Sequence, residues 1–337
     1  MHPLEIAPFF NKQMNCLEGV IAALANHAGD PYTMLCAESW GFKYIDRLEA
    51  PPLIGLKIRA DIPNKKRFLE SDNGIMVQDR ELSAEPALEW MLAQLSEARP
   101  VILRIDSYWC PWNEVYQKQS IRHYVIVTHF DREAQSFHCM DPMVQKAGIL
   151  RLPLSHYYKG YKSCLTYSRV PVVGEGTSLR EVLLHTVNGL MGNGRETSAF
   201  EDMEKLAGEI QTTSRFKDET TGYPVIGTAP LIFNLVWIAK GRLNYADFLV
   251  HLFDKHGVVE LKAWADEIRQ AGKEWMLVSA VAAKLLMQKE STSIQRSIAD
   301  RIRNVALREQ SVHQEICGFL GLSHEAEGAT KRCCDLG

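Results

Sequence analysis

The chain has 337 residues, 46% of them hydrophobic and 23% charged, enough apolar material for a large core and two domains. A net charge of −3 and a pI near 6.4, without a basic stripe, argue against a surface that tracks nucleic-acid phosphates. No stretch reaches the roughly 18 apolar residues that span a bilayer, and the opening residues lack the basic start and apolar run of a signal peptide. The expectation is a cytoplasmic protein with neither a membrane nor a nucleic-acid partner.

From Met14 to Ala28, the residues Leu17, Val20, Ile21, Leu24 and Ala25 recur at helical spacing, and Gly29-Asp30-Pro31 stops the helix. Cys16 falls in its first turn. A second short helix is expected over 32–38, and extended segments over 40–58 around the Pro51-Pro52 break. A helix over 86–98 carries Leu88, Met91, Leu92 and Leu95 on one face and ends at Pro100. The apolar runs 101–105, 124–130 and 137–140 read as strands of one antiparallel sheet, the last two joined by the polar turn 131–136. A further strand over 164–170 leads into a linker at 171–177.

Beyond the linker the pattern turns helical. Ser178 with Glu181, and Ser198 with Glu201, have capping-box spacing ahead of apolar periodicity, and Asn244 opens a stretch that Gly257 closes. The run 275–287 is apolar almost all round, which predicts a buried central helix with 294–320 as its partner. Gly192-Asn193-Gly194 and the Gly-, Thr- and Pro-rich stretch 217–228 read as loops. Glu201, Asp202, Glu204 and Glu209 form an acidic helix face expected to be solvated. The fold class is therefore α+β: a helix packed on an antiparallel sheet over 1–170, a mainly helical domain over 178–322 and a disordered tail over 323–337.

The eight cysteines, at 16, 36, 110, 139, 164, 317, 333 and 334, show neither CxxC pairs nor the density of a disulfide scaffold. Most read as reduced core residues, and the adjacent Cys333-Cys334 carries no assigned role. A thiol attacks as thiolate, a form favoured by a helix N-terminus and by a neighbouring imidazolium. Cys16 is placed for this. His123 begins an apolar strand, and Asp141 follows the next one, where Pro142 ends the pairing. Their even separation puts both side chains on one face if the hairpin has an odd loop or one bulge. Cys16 as nucleophile, His123 as base and Asp141 as its orienter form the expected catalytic set.

Asn15-Cys16 with its helix, Glu38-Ser39-Trp40-Gly41-Phe42, the strand Val101 to Ile105 running into Asp106-Ser107-Tyr108, Arg122-His123-Tyr124-Val125-Ile126-Val127 and Met140-Asp141-Pro142 together resemble the N-terminal domain of the butirosin-biosynthesis acyltransferase (BtrH-like) family. The cysteine helix, the His-Tyr-Val strand and the Asp-Pro are more distantly similar to papain-like peptidase domains that process double-glycine leader peptides. The resemblance implies a papain-like fold and transfer of an acyl group from a carrier-protein thioester, borne on phosphopantetheine, to an amine, with no bound cofactor. The partners so implied are an acyl or peptidyl carrier protein and a small-molecule amine acceptor. The distant peptidases place an oxyanion-stabilising Gln six residues before the cysteine, where this chain has Phe10. Gln13, Asn15 and the backbone N–H of Cys16 are the nearby candidates.

The loop after the third of these segments is both aromatic and polar, so Asp106, Tyr108 and Trp112 are candidates to wall an acceptor pocket. His129, His138 and Asp141 can be assembled into a metal site on paper, but no spacing among them is a ligand motif, and no metal is expected. Two rival readings stand beside the transferase: a cysteine peptidase or amidase with the same three residues, and a non-catalytic assembly-line binding protein with an unreactive Cys16.

Overall fold

The computed structural model describes residues 4–7, 9–45, 53–59, 67–144, 149–172, 176–192, 197–288 and 291–322. The Pro51-Pro52 break, the middle of the expected linker, Asn193-Gly194 and the 323–337 tail with Cys333 and Cys334 lie outside the described residues. In chain order the elements are α1 (Cys16–Ala28), β1 (Lys43–Tyr44), α2 (Ile54–Lys57), β2 (Ile58–Arg59), α3 (Arg67–Asn73), β3 (Ile75–Arg80), α4 (Ala84–Ser96), β4 (Val101–Asp106), β5 (Arg122–Asp131), β6 (Ser136–Met140), β7 (Leu150–Pro153), α5 (Leu154–Gly160), β8 (Tyr161–Arg169), α6 (Leu179–Leu190), α7 (Ala199–Thr212), α8 (Pro230–His256), α9 (Glu260–Met287) and α10 (Thr292–Phe319). The helix expected over 32–38 is a short 3-10 turn, Thr33–Cys36. The loop expected over 217–228 also contains 3-10 turns.

The chain packs into two compact units, each assembled from several segments. The first draws on Met1–Ser39, Pro63–Gly176 and Lys217–Phe233, the second on Trp40–Ile62, Thr177–Phe216 and Asn234–Gly337. A single cut near residue 170 does not separate them. The Trp40 indole donates to Glu309 on α10 at 2.7 Å and Phe42 stacks on Trp275 of α9, which draws the β1–β2 pair into the helical unit.

In the first unit a six-stranded antiparallel sheet runs in the order β3-β8-β4-β5-β6-β7. The edge strands β3 and β7, which the sequence pattern does not show, are only partly apolar. One face is covered by α1, whose Val20, Ile21 and Leu24 pack on Ile102, Tyr124, Ile126 and Leu165. The other face carries Val101, Leu103, Ile105, Val125, Val127 and Phe137 against Ala87 and Met91 of α4 and Tyr157 of α5. Strand alternation explains the division, since successive side chains point to opposite faces. Between β5 and β6 the register changes from Val127↔Cys139 to His129↔His138, leaving Thr128 as a one-residue bulge.

The second unit is helical. Both expected capping boxes form, at Ser178 with Glu181 and at Ser198 with Glu201. The helix expected to open at Asn244 starts at Pro230 instead, and closes as read, at Gly257 with φ 69°. Proline fits a helix start because its missing N–H has no partner there anyway. The run 275–287 is not buried all round: Met276, Leu277 and Met287 are exposed, while Trp275, Val278, Ala282 and Leu285 face inward. The acidic face of α7 is not simply solvated. Asp202 is buried, accepting from the Tyr44 N–H at 3.1 Å and the Thr197 hydroxyl at 2.8 Å. Glu209 accepts from Lys57 at 2.7 Å and from the Tyr44 hydroxyl, and Glu204 pairs with Arg303 at 2.9 Å.

The centre of this unit holds an ion pair. Arg242 and Glu309 are both fully buried, with Nε donating to Oε1 and Nη2 to Oε2, each at 2.9 Å. The indole of Trp275 adds a donor to Oε1 and that of Trp40 one to Oε2, while Arg242 Nη1 donates to the Gly41 carbonyl at 2.7 Å. A buried pair is tolerable only when its remaining donors and acceptors are met in this way. Among the described residues no helix is long and apolar enough to cross a membrane.

Candidate active site

A capping box fixes the start of α1. The Asn15 side chain accepts from the Glu18 N–H, and the Glu18 carboxylate from the Asn15 N–H, both at 2.9 Å. Cys16 is therefore the first helical residue, and the Asn15 amide oxygen is spent on the cap. The Gln13 N–H donates to the Asn11 side chain at 2.9 Å. Three residues after Cys16, on the same side of the helix, Gly19 sits against Pro142. A Cβ there would lie 2.9 Å from the proline ring, so the bare backbone lets α1 press onto the Asp141-Pro142 segment.

His123 and Asp141 meet across β5 and the end of β6. With Ile126 opposite Met140, Asp141 falls beside Val125, on the same face as His123 and diagonal to it. The bulge at Thr128, together with the four-residue turn 132–135, produces the parity that an even separation requires. His123 Nε2 lies 2.7 Å from Asp141 Oδ2. Asp141 Oδ2 also accepts from the Trp112 indole at 2.7 Å, and Oδ1 from the Met143 N–H at 2.9 Å. With Nε2 so engaged, Nδ1 is the ring atom left for the thiol.

Accessibility falls from Cys16 through His123 to Asp141. The Cys16 residue is partly exposed, the His123 side chain is 6% exposed and that of Asp141 is 0%. The carboxylate is shielded from competing water. Burial by itself lowers the His123 pKa, but hydrogen bonding and charge from Asp141 and Cys16 outweigh it and raise the value, so the imidazolium is the favoured form. Burial likewise opposes ionisation of Asp141, yet bonds from His123, Met143 and Trp112 and the His123 charge hold its carboxyl below the ordinary range. The buried thiols of Cys110 and Cys139 are pushed the other way, by burial first and then by nearby negative charge that includes Asp141. They are poor nucleophiles by comparison.

The other candidate residues take different places. Asp106 braces its own loop, accepting from the Tyr108 N–H at 3.0 Å and from the Ser120 hydroxyl. The Tyr108 ring packs edge-on against Trp109. Trp112 reaches Asp141 with its indole N–H, a role the sequence did not suggest. The available signal was that a half-buried indole needs an acceptor. His129 and His138 face each other with ring centroids 5.0 Å apart, while Asp141 is turned to His123 and Trp112, so these three are not gathered into one site. Among the described residues no group of three His, Cys, Asp or Glu side chains could hold a metal ion.

A carboxylate on an imidazole whose other nitrogen is left for a helix-start thiol is the arrangement of a cysteine nucleophile with an oriented base. The family model described as Butirosin biosynthesis protein H, N-terminal, matches residues 15–142, so this part of the chain is similar to that BtrH-like family. The match opens on the cap residue Asn15 and closes on Pro142, enclosing Cys16, His123 and Asp141. No curated protein matches the chain.

Proposed function

We propose that the chain is a cysteine-dependent acyltransferase of antibiotic or related secondary-metabolite biosynthesis, with a papain-like catalytic domain. It moves an acyl group from a carrier-protein thioester to an amine through an acyl-Cys16 intermediate. The observation that carries the reading is the 2.7 Å His123–Asp141 bond next to Cys16, inside the segment that matches the BtrH-like family. The Cys16 thiolate attacks the donor carbonyl, and the phosphopantetheine sulfur leaves, taking the proton held by His123. The acceptor amine then attacks acyl-Cys16, His123 receives the amine proton, and the Cys16 thiolate is released. Asp141 keeps the ring oriented throughout and stabilises its charge before the first step and after the second, the imidazole being neutral in between. The tetrahedral oxyanion in each step needs N–H donors, for which the Cys16 backbone at the start of α1 and the side chain of Gln13 are the nearest candidates.

Thioester exchange is close to isoenergetic, and a held amine outcompetes water in a dry pocket. The test is incubation with an acyl group on a phosphopantetheine-bearing carrier protein. A thioester-linked mass increase on Cys16 is expected in the absence of amine, discharged by an amine acceptor into amide faster than into free acid. Rapid release of acid from every donor, or carrier-independent cleavage of peptides, sinks the transferase in favour of the hydrolase.

A further inference from the structure

The face of the sheet beneath α1 ends in a polar row that the Cys16–His123–Asp141 chemistry does not use. Ile102 belongs to the core under α1, and Arg104, two residues further along β4, points to the same face. Its register partner on β5 is Tyr124, itself part of that core and 7% exposed, and its partner on β8 is Ser163. Cys16 packs against the same core from above. The pKa of the Tyr124 phenol is raised by burial, eased by the charges of Arg122 and Arg104 and raised again by Cys16 and Asp79, so each of these groups lies within electrostatic reach of the phenol.

Arg104 has its Nε buried without a hydrogen-bond partner among the described residues. The described hydrogen bonds of the neighbouring carboxylates do not include Arg104. Asp79 accepts from the Ser163 hydroxyl at 3.3 Å, and Asp106 from Ser120 and the Tyr108 N–H. A guanidinium cannot neutralise itself by losing its proton, so a desolvated N–H of this kind lacks an acceptor. An oxyanion is the group that matches it in charge and planar geometry.

We propose that Arg104, with Tyr124 beside it, forms a subsite for an oxyanion carried by the donor: a carboxylate on the acyl chain delivered to Cys16, or the phosphate of its phosphopantetheine arm. The inference rests on the acyl-Cys16 reading and deepens it, by making charge on the donor a determinant of which groups are accepted.

The experiment compares alkylation of Cys16 in the full chain by iodoacetate and by iodoacetamide, followed by mass mapping. Each reagent forms an S–C bond and expels iodide, and the two differ mainly in the carboxylate. The rate ratio of iodoacetate to iodoacetamide should fall about tenfold in Arg104→Gln and less in Arg104→Lys, as expected for a charge-assisted hydrogen bond. Because His123 is the same in all three proteins, its own attraction for iodoacetate cancels from the comparison. In the unaltered protein, glutarate or inorganic phosphate should slow labelling by iodoacetamide. Protection by glutarate alone assigns the subsite to the acyl carboxylate, and protection by phosphate alone assigns it to the arm. A ratio unchanged in both variants, with no protection by either anion, overturns the subsite while leaving the nucleophile standing. Failure of both reagents to label Cys16 overturns the acyl-cysteine reading and the subsite with it.

Discussion

Asp141 in the sheet unit and Glu309 in the helical unit are buried carboxylates built from nearly the same parts. Each accepts from indole N–H groups and faces a cation: Trp112 and His123 for the first, Trp40, Trp275 and Arg242 for the second. Two differences make the first a candidate for chemistry and the second a candidate for scaffolding. The cation beside Asp141 is an imidazole, which can give up and recover a proton, and it stands next to a thiol. The cation beside Glu309 is a guanidinium, which does neither, and its bonds go to the carboxylate and the Gly41 carbonyl. The proposed function rests on a buried charge whose partner has a proton to move and a thiol beside it.

Substitutions at the two sites should separate along that line. The largest effect is expected from Cys16→Ala, which should abolish turnover and covalent labelling while leaving the urea midpoint near that of the unaltered protein. Among the other thiols, Cys110 and Cys139 should stay unlabelled under brief iodoacetamide treatment, because burial disfavours their thiolates. Mass mapping that finds either of them modified and Cys16 untouched would end the assignment. Next comes His123→Ala, with a rate loss of several orders of magnitude, and then Asp141→Asn with a smaller one. The double variant should be no slower than His123→Ala alone, since the residues act as one unit. Near-normal activity in His123→Ala would remove the imidazole from the mechanism.

At the helical site the losses should appear in stability instead. Glu309→Leu strands the Arg242 charge and should cost about 3–5 kcal/mol in chemical denaturation, with Cys16 still alkylated in the fraction that remains folded. A stability equal to that of the unaltered protein would mean that the pair is not an anchor of its unit. A smaller effect is expected from Trp112→Phe. Losing one hydrogen bond to a charged acceptor is worth about 1.5–3 kcal/mol, or roughly tenfold to a hundredfold in rate if it acts through the His123 orientation. Loss of binding with an unchanged maximal rate would instead return Trp112 to a pocket wall.

The smallest effect is one of pH. Because the His123 pKa is raised in the folded protein, to about 10, the stability it contributes is fully present below its unfolded value of 6.5 and is lost as pH rises through the folded one. The Asp141 pKa is lowered, so its contribution is present above 3.8 and is lost as pH falls through its folded value. The alkaline limb of kcat/KM should accordingly lie well above 6.5, and Asp141→Asn should draw it downward. A limb in the ordinary histidine range would show that the pair does not hold the proton.

Legibility in the sequence followed the range of the interactions. The start of α1, the three consecutive strands β4, β5 and β6, and the capping boxes of α6 and α7 rest on neighbours within a few residues, and they stand where periodicity and spacing put them. The parity argument for His123 and Asp141 also needed only a residue count and one bulge. Arg242 and Glu309 were invisible because each reads alone as a charged residue on an amphipathic helix, and their pairing spans 67 residues. Residues 40–44 carried apolar and aromatic side chains without saying which core would take them. In the sequence Trp112 suggests a pocket wall, because no spacing rule connects it to a carboxylate 29 residues away.

The contact of Gly19 with Pro142 sets a dimension of the molecule. Most distances in a protein core are negotiated by rotamers: a neighbour changes, a χ angle turns, and the gap is refilled. At this contact neither partner has that freedom, since one is bare backbone and the other a closed ring. Pro142 is a mechanical stop for the helix whose first residue is Cys16. Repacking elsewhere in the core can soften or stabilise the unit without altering that gauge. A single methyl group at position 19 acts on it directly, because its carbon would lie 2.9 Å from the Pro142 ring and force helix and ring apart.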